Sequence, residues 1–546
     1  MIRRLLAIGL DGFETTLAER LMSEGRLPNL AAAMAQSARA NLDHGPAKRT
    51  GLAWEHFATG LTPAGAQRWS AVTFEAQRYR CWQEVTRLAP FPSRLPLETV
   101  VFDAPYFDLQ QAERVRGLVS WGAHDPGTSR RARPDSLLDE VRARFGEYPA
   151  AAYIYGFAWA SPERVRRMGA ALVAATRQRT AISRWLLGER CPEWSLGVVV
   201  ASELHSAVEA LWHGVDPDHP LHHLSSAEPA RRALEAVYEA TDELIGELAA
   251  GFPDAAQLIF SMHGMGPNDS DVPSMALLPE FLYRRSFGRP LLGEGNGEAT
   301  SLPMVAEQES WDAHVDARML ERPDRGHPLL FRLRRKARHI TGGGSVRQRR
   351  AEADSGRLSI GWMPAAWYAP HWPRMPAFAL PSFYDGQIRL NVCGREGNGL
   401  VTPEYYDMAC RQIIADLTRC TDPRNGRSVV REAIRTHPGD PMGVTATEAD
   451  VVVRWRGSPL AFAVPDGGVI GPLAYRRPGG HTGGHGISLW RGPHFPPGER
   501  PARSAFDVVP TIIDYLTGDA LAAGVDGNSF LPSLAPGNVT LPLSRG

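Results

Sequence analysis

Leu5-Leu6-Ala7-Ile8-Gly9-Leu10-Asp11-Gly12 decides the fold: six apolar or small residues run straight into a carboxylate and a glycine. An uninterrupted apolar run of this kind reads as a strand buried on both faces. The carboxylate then stands in the loop after the strand, where α/β proteins place their chemistry. Working outward, 100–102, 118–121, 196–201, 257–261 and 486–490 read as further strands, and 136–145, 162–187, 229–250 and 403–417 as helices. This alternation predicts an α/β fold: a doubly wound, mostly parallel sheet flanked by helices.

The chain has 546 residues, room for two to four domains or for one large α/β core with insertions. Across 286–373 the alternation gives way to Gly, Arg and Pro, with a basic run over 332–350. We read this stretch as an insertion or cap, either a solvated loop or a phosphate-attracting lid. Residues 1–285 and 374–546 would then be the two parts of one core. Sixty basic and 60 acidic side chains balance to a net charge of zero, so nothing steers the whole chain toward nucleic acid or an anionic membrane. Five cysteines, an odd number with no CxxC pair, argue against a disulfide framework or a thiolate zinc site. Too few apolar residues follow Met1-Ile2-Arg3-Arg4 for a signal peptide, and no run approaches the length of a membrane span, so the cytoplasm is the expected compartment.

Candidate chemistry lies in the following stretches. The first is Asp11 itself. The second is Lys48-Arg49-Thr50-Gly51-Leu52-Ala53-Trp54, in which the Thr50 hydroxyl precedes by nine residues the Thr59-Gly60 that ends a short helical segment. The third is a pair of residues after the strand 196–201. His205 and Glu209 are four apart, so on a helix they project from successive turns of one face and can chelate one ion. The bland alternative is a packed histidine beside a solvated glutamate. The last comprises Ser261-Met262-His263-Gly264-Met265 and Gly480-His481-Thr482-Gly483-Gly484-His485-Gly486. Glycines around a histidine let the backbone come close to an ion, or simply form a turn.

Taken in order, these stretches resemble the alkaline phosphatase superfamily, specifically its type I phosphodiesterase and nucleotide pyrophosphatase branch. The resemblance implies two divalent ions, zinc with manganese as the alternative. One would be held by Asp11, Thr50 and His263, the other by His205, Glu209 and His481, with His485 as second choice to His481. His205 and Glu209 stand where the family has an aspartate and a histidine, swapped in type but not in capacity, since imidazole and carboxylate both bind zinc. Met262 stands where the family has an aspartate. A thioether is a poor ligand for zinc or manganese, so this half-site is expected to be weak or empty unless Glu14, Asn268 or Asp269, the nearest oxygen donors in sequence, takes its place.

The mechanism so implied is attack by Thr50 on phosphorus through a phosphothreonine intermediate. Lys48 and Arg49 are candidates to hold nonbridging oxygens or a leaving group, and Trp54 either stacks on a base or packs in the core. The expected function is a metal-dependent phosphohydrolase or phosphodiesterase acting on a small phosphorylated substrate. The alternatives are a catalytically altered member that binds a phosphorylated ligand or partner, and a phosphotransferase. Sulfatase chemistry is disfavoured, because Thr50-Gly51-Leu52-Ala53-Trp54 lacks the Cys/Ser-x-Pro-x-Arg context that it needs.

Overall fold

The computed structural model describes residues 3–531 apart from 87, 125–128, 295–297, 307–308, 322–355, 466–467 and 520–522; the basic run over 332–350 lies outside the described residues. The first strand, Leu5–Leu10, is buried along its whole length and lies between two parallel neighbours, Leu196–Ala201 and Ala256–Ser261. Thr99–Phe102 and Val115–Val119 extend the parallel array beyond Leu196–Ala201. On the other side Gly486–Arg491 runs antiparallel to Ala256–Ser261 and to Ala38–Asp43. Among the described residues the sheet has ten strands, with short pieces at each edge.

Alternation along the first strand feeds two cores. Leu6, Ile8 and Leu10 belong to the apolar cluster formed with the long helices Pro162–Trp185 and Ala227–Gly251. Leu5 and Ala7 belong to the cluster on the opposite face, formed with Ala53–Thr59 and Val508–Thr517. A strand pointing successive side chains to opposite faces must have both covered when every side chain is apolar. A third cluster surrounds a separate antiparallel sheet of four strands, ordered Ala377–Leu380, Gly386–Leu390, Val451–Trp455 and Val430–Arg435. It draws in Leu282, Leu291, Trp311, Met363 and Trp372, and so runs across the expected boundaries at 285 and 373. Arg395 and Glu396 tie this sheet together: Arg395 reaches Asp450 at 2.7 Å, and Glu396 accepts from Arg389 at 2.8 Å.

All five cysteines are free thiols. Among the described residues no helix is long and apolar enough to cross a membrane.

Candidate active site

Three neighbouring parallel strands end side by side, and each hands a polar group to the same edge of the sheet. Leu5–Leu10 delivers Asp11, Leu196–Ala201 runs into the helix Glu203–Leu211 with His205 and Glu209, and Ala256–Ser261 delivers Met262 and His263. Because Gly486–Arg491 is antiparallel to them, the loop that precedes it, carrying His481, arrives at that same edge. Gly12 makes the close approach possible. It sits at φ +77°, and a Cβ there would lie 2.3 Å from the His205 Cα. Gly479 plays the same part for the His481 loop, since its Cβ would lie 2.1 Å from the Val208 carbonyl oxygen.

The result is a buried cluster of imidazoles and carboxylates. His205 Nδ1 lies 3.1 Å from Asp11 Oδ2, and His205 Nε2 lies 3.4 Å from Glu209 Oε1. His124 stacks on His205 with ring centroids 3.8 Å apart, and its Nε2 lies 2.6 Å from Glu209 Oε2. His481 stands edge-on to His205 at 4.7 Å and to His263 at 4.9 Å. Arg477, held by Asp271 at 2.7 and 2.9 Å, also reaches Glu209.

Burial sets the charge states here, because desolvation disfavours the charged form. It pushes His263 down to about 4, against the upward pull of the Gly264 carbonyl and Asp11. Burial, then His205 and His263, holds His481 well below the ordinary imidazole range. Both rings are therefore neutral at pH 7, the form that ligates metals. Burial alone would raise the Asp11 carboxyl, but His205 beside it and a hydrogen bond from Trp54 prevail and lower it.

The Thr50 loop is anchored to this cluster. Lys48 Nζ donates to the Gly483 carbonyl at 2.9 Å, two residues from His481. A Cβ on Gly51 would lie 2.9 Å from the Tyr384 ring, which itself stands 4.9 Å from His481. Thr50 Oγ1 donates to the Ala47 carbonyl at 2.8 Å and accepts from Leu52 N–H at 3.2 Å. Thr50 does not itself open a helix. Thr50 closes the 3-10 turn Gly45–Thr50, Gly51 takes a left-handed φ of +76°, and the helix Ala53–Thr59 begins beyond it. Arg49 pairs with Asp385, and Trp54 is buried against Phe57 and Phe260 with both centroid distances 5.8 Å. Its ring thus faces the core, which favours the packing reading over base stacking.

Met262 is 3% exposed and belongs to the same apolar cluster as Phe260 and Trp490. Two of its three potential substitutes are engaged elsewhere. Glu14 caps the helix Thr15–Ser23, accepting from Thr16 and Leu17 N–H. Asn268 Oδ1 accepts from Ser270 and Asp271 N–H. Asp269, raised to about 6 by burial, has its principal countercharge in Arg49. His485 is exposed whereas His481 is buried, so the glycine-rich loop brings His481 to the cluster.

The sequence reading passed over His124. Its signal was present: Ser120-Trp121-Gly122-Ala123-His124 follows the strand Val115–Val119, as Asp11 and His263 follow theirs. What positions it is a fully buried network. Arg179 Nη2 donates at 2.8 Å to both Asp103 and Glu203, Asp103 accepts from Trp121 and Gly122 N–H at 2.6 and 2.8 Å, and Tyr148 donates to Glu203 at 3.0 Å. The loop that leads to His124 is thereby tied to the first turn of the helix carrying His205 and Glu209.

The site belongs, by sheet order and by the polar groups at its strand ends, to a mostly parallel α/β protein with a buried His/Glu/Asp centre. Solved structures similar to this chain include phosphonoacetate hydrolase from Sinorhizobium meliloti 1021 in complex with phosphonoformate, at 13% identity and TM-score 0.45, covering 96% of this chain and 95% of that one. Murine ectonucleotide pyrophosphatase/phosphodiesterase 5, in an inactive form with AMP, is 10% identical with TM-score 0.44, covering 94% of this chain and 95% of that one. No protein-family profile matches the chain, and no curated protein matches it.

Proposed function

We propose that this protein is a metal-dependent phosphoester hydrolase, of phosphodiesterase or phosphatase type, acting on a small phosphorylated substrate with Thr50 as nucleophile. The observation that carries the reading is the buried cluster of His124, His205, Glu209, His481, Asp11 and His263 beside the anchored Thr50 loop. The donor set fits a divalent transition metal. His205 Nε2 and His481 Nδ1 are buried with no hydrogen-bond partner among the described residues, the state of a lone pair that faces a cation. Neutral imidazoles with a carboxylate are the donors that zinc and manganese accept. His205, Glu209 and His481 would hold one ion. The nucleophile side keeps Asp11, His263 and the Thr50 hydroxyl without a second carboxylate, a poorer set. A bound divalent ion supplies Lewis acidity for phosphoryl oxygens and lowers the pKa of a bound hydroxyl or water.

The rest falls to the chain itself. The Thr50 hydroxyl, held by Ala47 and Leu52, sits in a loop fixed at both ends, so its approach to phosphorus is set in advance of binding. The Thr50 oxygen–phosphorus bond forms as the bond to the leaving oxygen breaks, the hydroxyl proton passing to that leaving oxygen, and a phosphothreonine results; water then cleaves it, its hydroxyl going to phosphorus and its proton to the Thr50 oxygen. Lys48, its ammonium lowered chiefly by burial and then by Arg49, lies next to Thr50 and is the cation available to phosphoryl oxygens once it releases Gly483. The core position of Met262 favours a second reading, a member that binds a phosphorylated ligand without turning it over.

Turnover of bis(p-nitrophenyl) phosphate by Thr50→Ala tests the choice. Loss of a covalent nucleophile costs several powers of ten, so activity in the variant above about a tenth of the wild type removes Thr50 from that role.

A further inference from the structure

We propose that His124, His205 and Glu209 form a single transition-metal centre, in which Asp11 acts behind His205 as an orienting carboxylate instead of as a ligand. This rests on the hydrolase reading and revises its ion site, with His124 in place of His481 as ligand and one ion in place of two; the two can fail separately, because the test below reads metal content and not turnover.

The argument begins at the His205–Asp11 contact. Asp11 is buried and its Oδ2 lies 3.1 Å from His205 Nδ1, the separation of a hydrogen bond in which the ring N–H donates to the carboxylate oxygen. A neutral ring that donates from Nδ1 carries its lone pair on Nε2. That atom faces Glu209 Oε1, a second acceptor, at 3.4 Å. Two acceptors so placed require a cation or a proton between them. The spacing is that of two ligands on one ion, since metal–ligand bonds of about 2.0–2.1 Å in a tetrahedron put neighbouring donors about 3.3 Å apart. The other Glu209 oxygen meets His124 Nε2 at 2.6 Å, and the two imidazoles lie stacked at 3.8 Å, so both rings turn their Nε2 edges to one carboxylate. One ligand atom from each of the three residues can be chosen so that all lie within 4.8 Å of one another, and all three residues are buried. Two imidazoles and a glutamate are a ligand set that leaves a fourth position open, the arrangement of catalytic zinc sites. The Asp11–His205 pair then matches the carboxylate–histidine–metal chain by which an outer carboxylate fixes a ligand's tautomer. With Asp11 so engaged and Met262 in the core, the nucleophile side retains only His263 and Thr50, too few protein donors for a second ion. Arg477 is the competing cation, since it too reaches Glu209.

The experiment is elemental analysis and zinc titration of the full chain, purified without added metal and after zinc loading, for wild type, His124→Ala, His124→Gln, Glu209→Gln and Asp11→Asn. Near-UV circular dichroism reports folding, and cobalt substitution reports coordination through its visible bands. We expect about one ion per wild-type chain and loss of the ion in both His124 variants and in Glu209→Gln. Asp11→Asn should keep the ion with affinity lowered about 10- to 100-fold, the cost of losing an outer-shell partner. Two ions per wild-type chain would overturn the proposal. So would folded His124→Gln with wild-type affinity and cobalt spectrum, or loss of metal in Asp11→Asn as complete as in Glu209→Gln. A wild-type chain that takes up no zinc assigns Glu209 to Arg477 and His124 alone, and also overturns it.

Discussion

Replacing Met262 with aspartate puts a carboxylate back where the family resemblance expects one, and the structure says what this costs. The methionine side chain is 3% exposed in the cluster beneath the sheet. Removing a buried side chain of this size and leaving a cavity costs about 2–5 kcal/mol. The new carboxylate adds to that. Its nearest neighbour in sequence, His263, is held near 4 and is uncharged at pH 7, so it provides no countercharge, and a buried polar group without a partner costs a further 1–3 kcal/mol or so. The metal-free Met262→Asp protein should therefore lose roughly 3–8 kcal/mol in urea denaturation followed by circular dichroism. Zinc can return part of this. A carboxylate beside His263 that recruits an ion regains about 2.7 kcal/mol at a hundredfold excess of zinc over its dissociation constant. The expected result is a lower urea midpoint without zinc and a partial recovery with it. An unchanged midpoint in the metal-free variant would refute the reasoning, because it would mean that Met262 is not a packing residue and that the nucleophile side is already shaped for a carboxylate.

Stability should also fall steeply on mild acidification. Burial pushes His56 and His213 down to about 3 and His219 to about 4. The unfolded chain takes up protons on these rings below about 6.5 while the folded chain does not, so stability is fully present above 6.5 and is lost as pH falls toward 4, by on the order of 1–3 kcal/mol per ring; urea midpoints at pH 7 and 5 check this, and equal midpoints contradict it. Arg179→Met leaves Asp103 and Glu203 buried without their cation, so it should destabilise the chain by about 3–5 kcal/mol and lower zinc uptake, since the same network positions the His124 loop; a variant of wild-type stability would show that the network is dispensable.

Much of the fold was legible in the sequence because its signals are local. The central strands are buried on both faces and so read as plain apolar runs, and Leu196–Ala201 falls where it was expected to the residue. The long helices 162–187 and 229–250 were expected within about two residues of Pro162–Trp185 and Ala227–Gly251, because Pro162 and the apolar spacing mark them. The separate sheet of 377–455 was not legible, since its strands are short and Gly386–Leu390 pairs with the distant Val451–Trp455. In the site, Asp11, His205, Glu209, His263 and His481 were singled out by their place after or before strands, and they do come together. His124 was missed because the order of strands in the sheet is not written in any one of them. Only the pairing of Thr99–Phe102 with both Val115–Val119 and Leu196–Ala201 brings the loop after Val119 to the helix of Glu209. The role of Arg477 and the buried Arg179 network depend in the same way on contacts between residues far apart in the chain.

The most direct test of the central claim is hydrolysis of phosphoesters by the purified protein before and after removal of metal. Initial rates would be followed with bis(p-nitrophenyl) phosphate and p-nitrophenyl phosphate, first as purified, then after dialysis against a chelator, then with zinc or manganese restored. A metal-dependent phosphoester hydrolase predicts turnover of at least one of the two, lost on chelation and regained with the ion. Turnover that persists in the metal-free protein would contradict the account, and so would a folded, metal-loaded protein that leaves both esters intact.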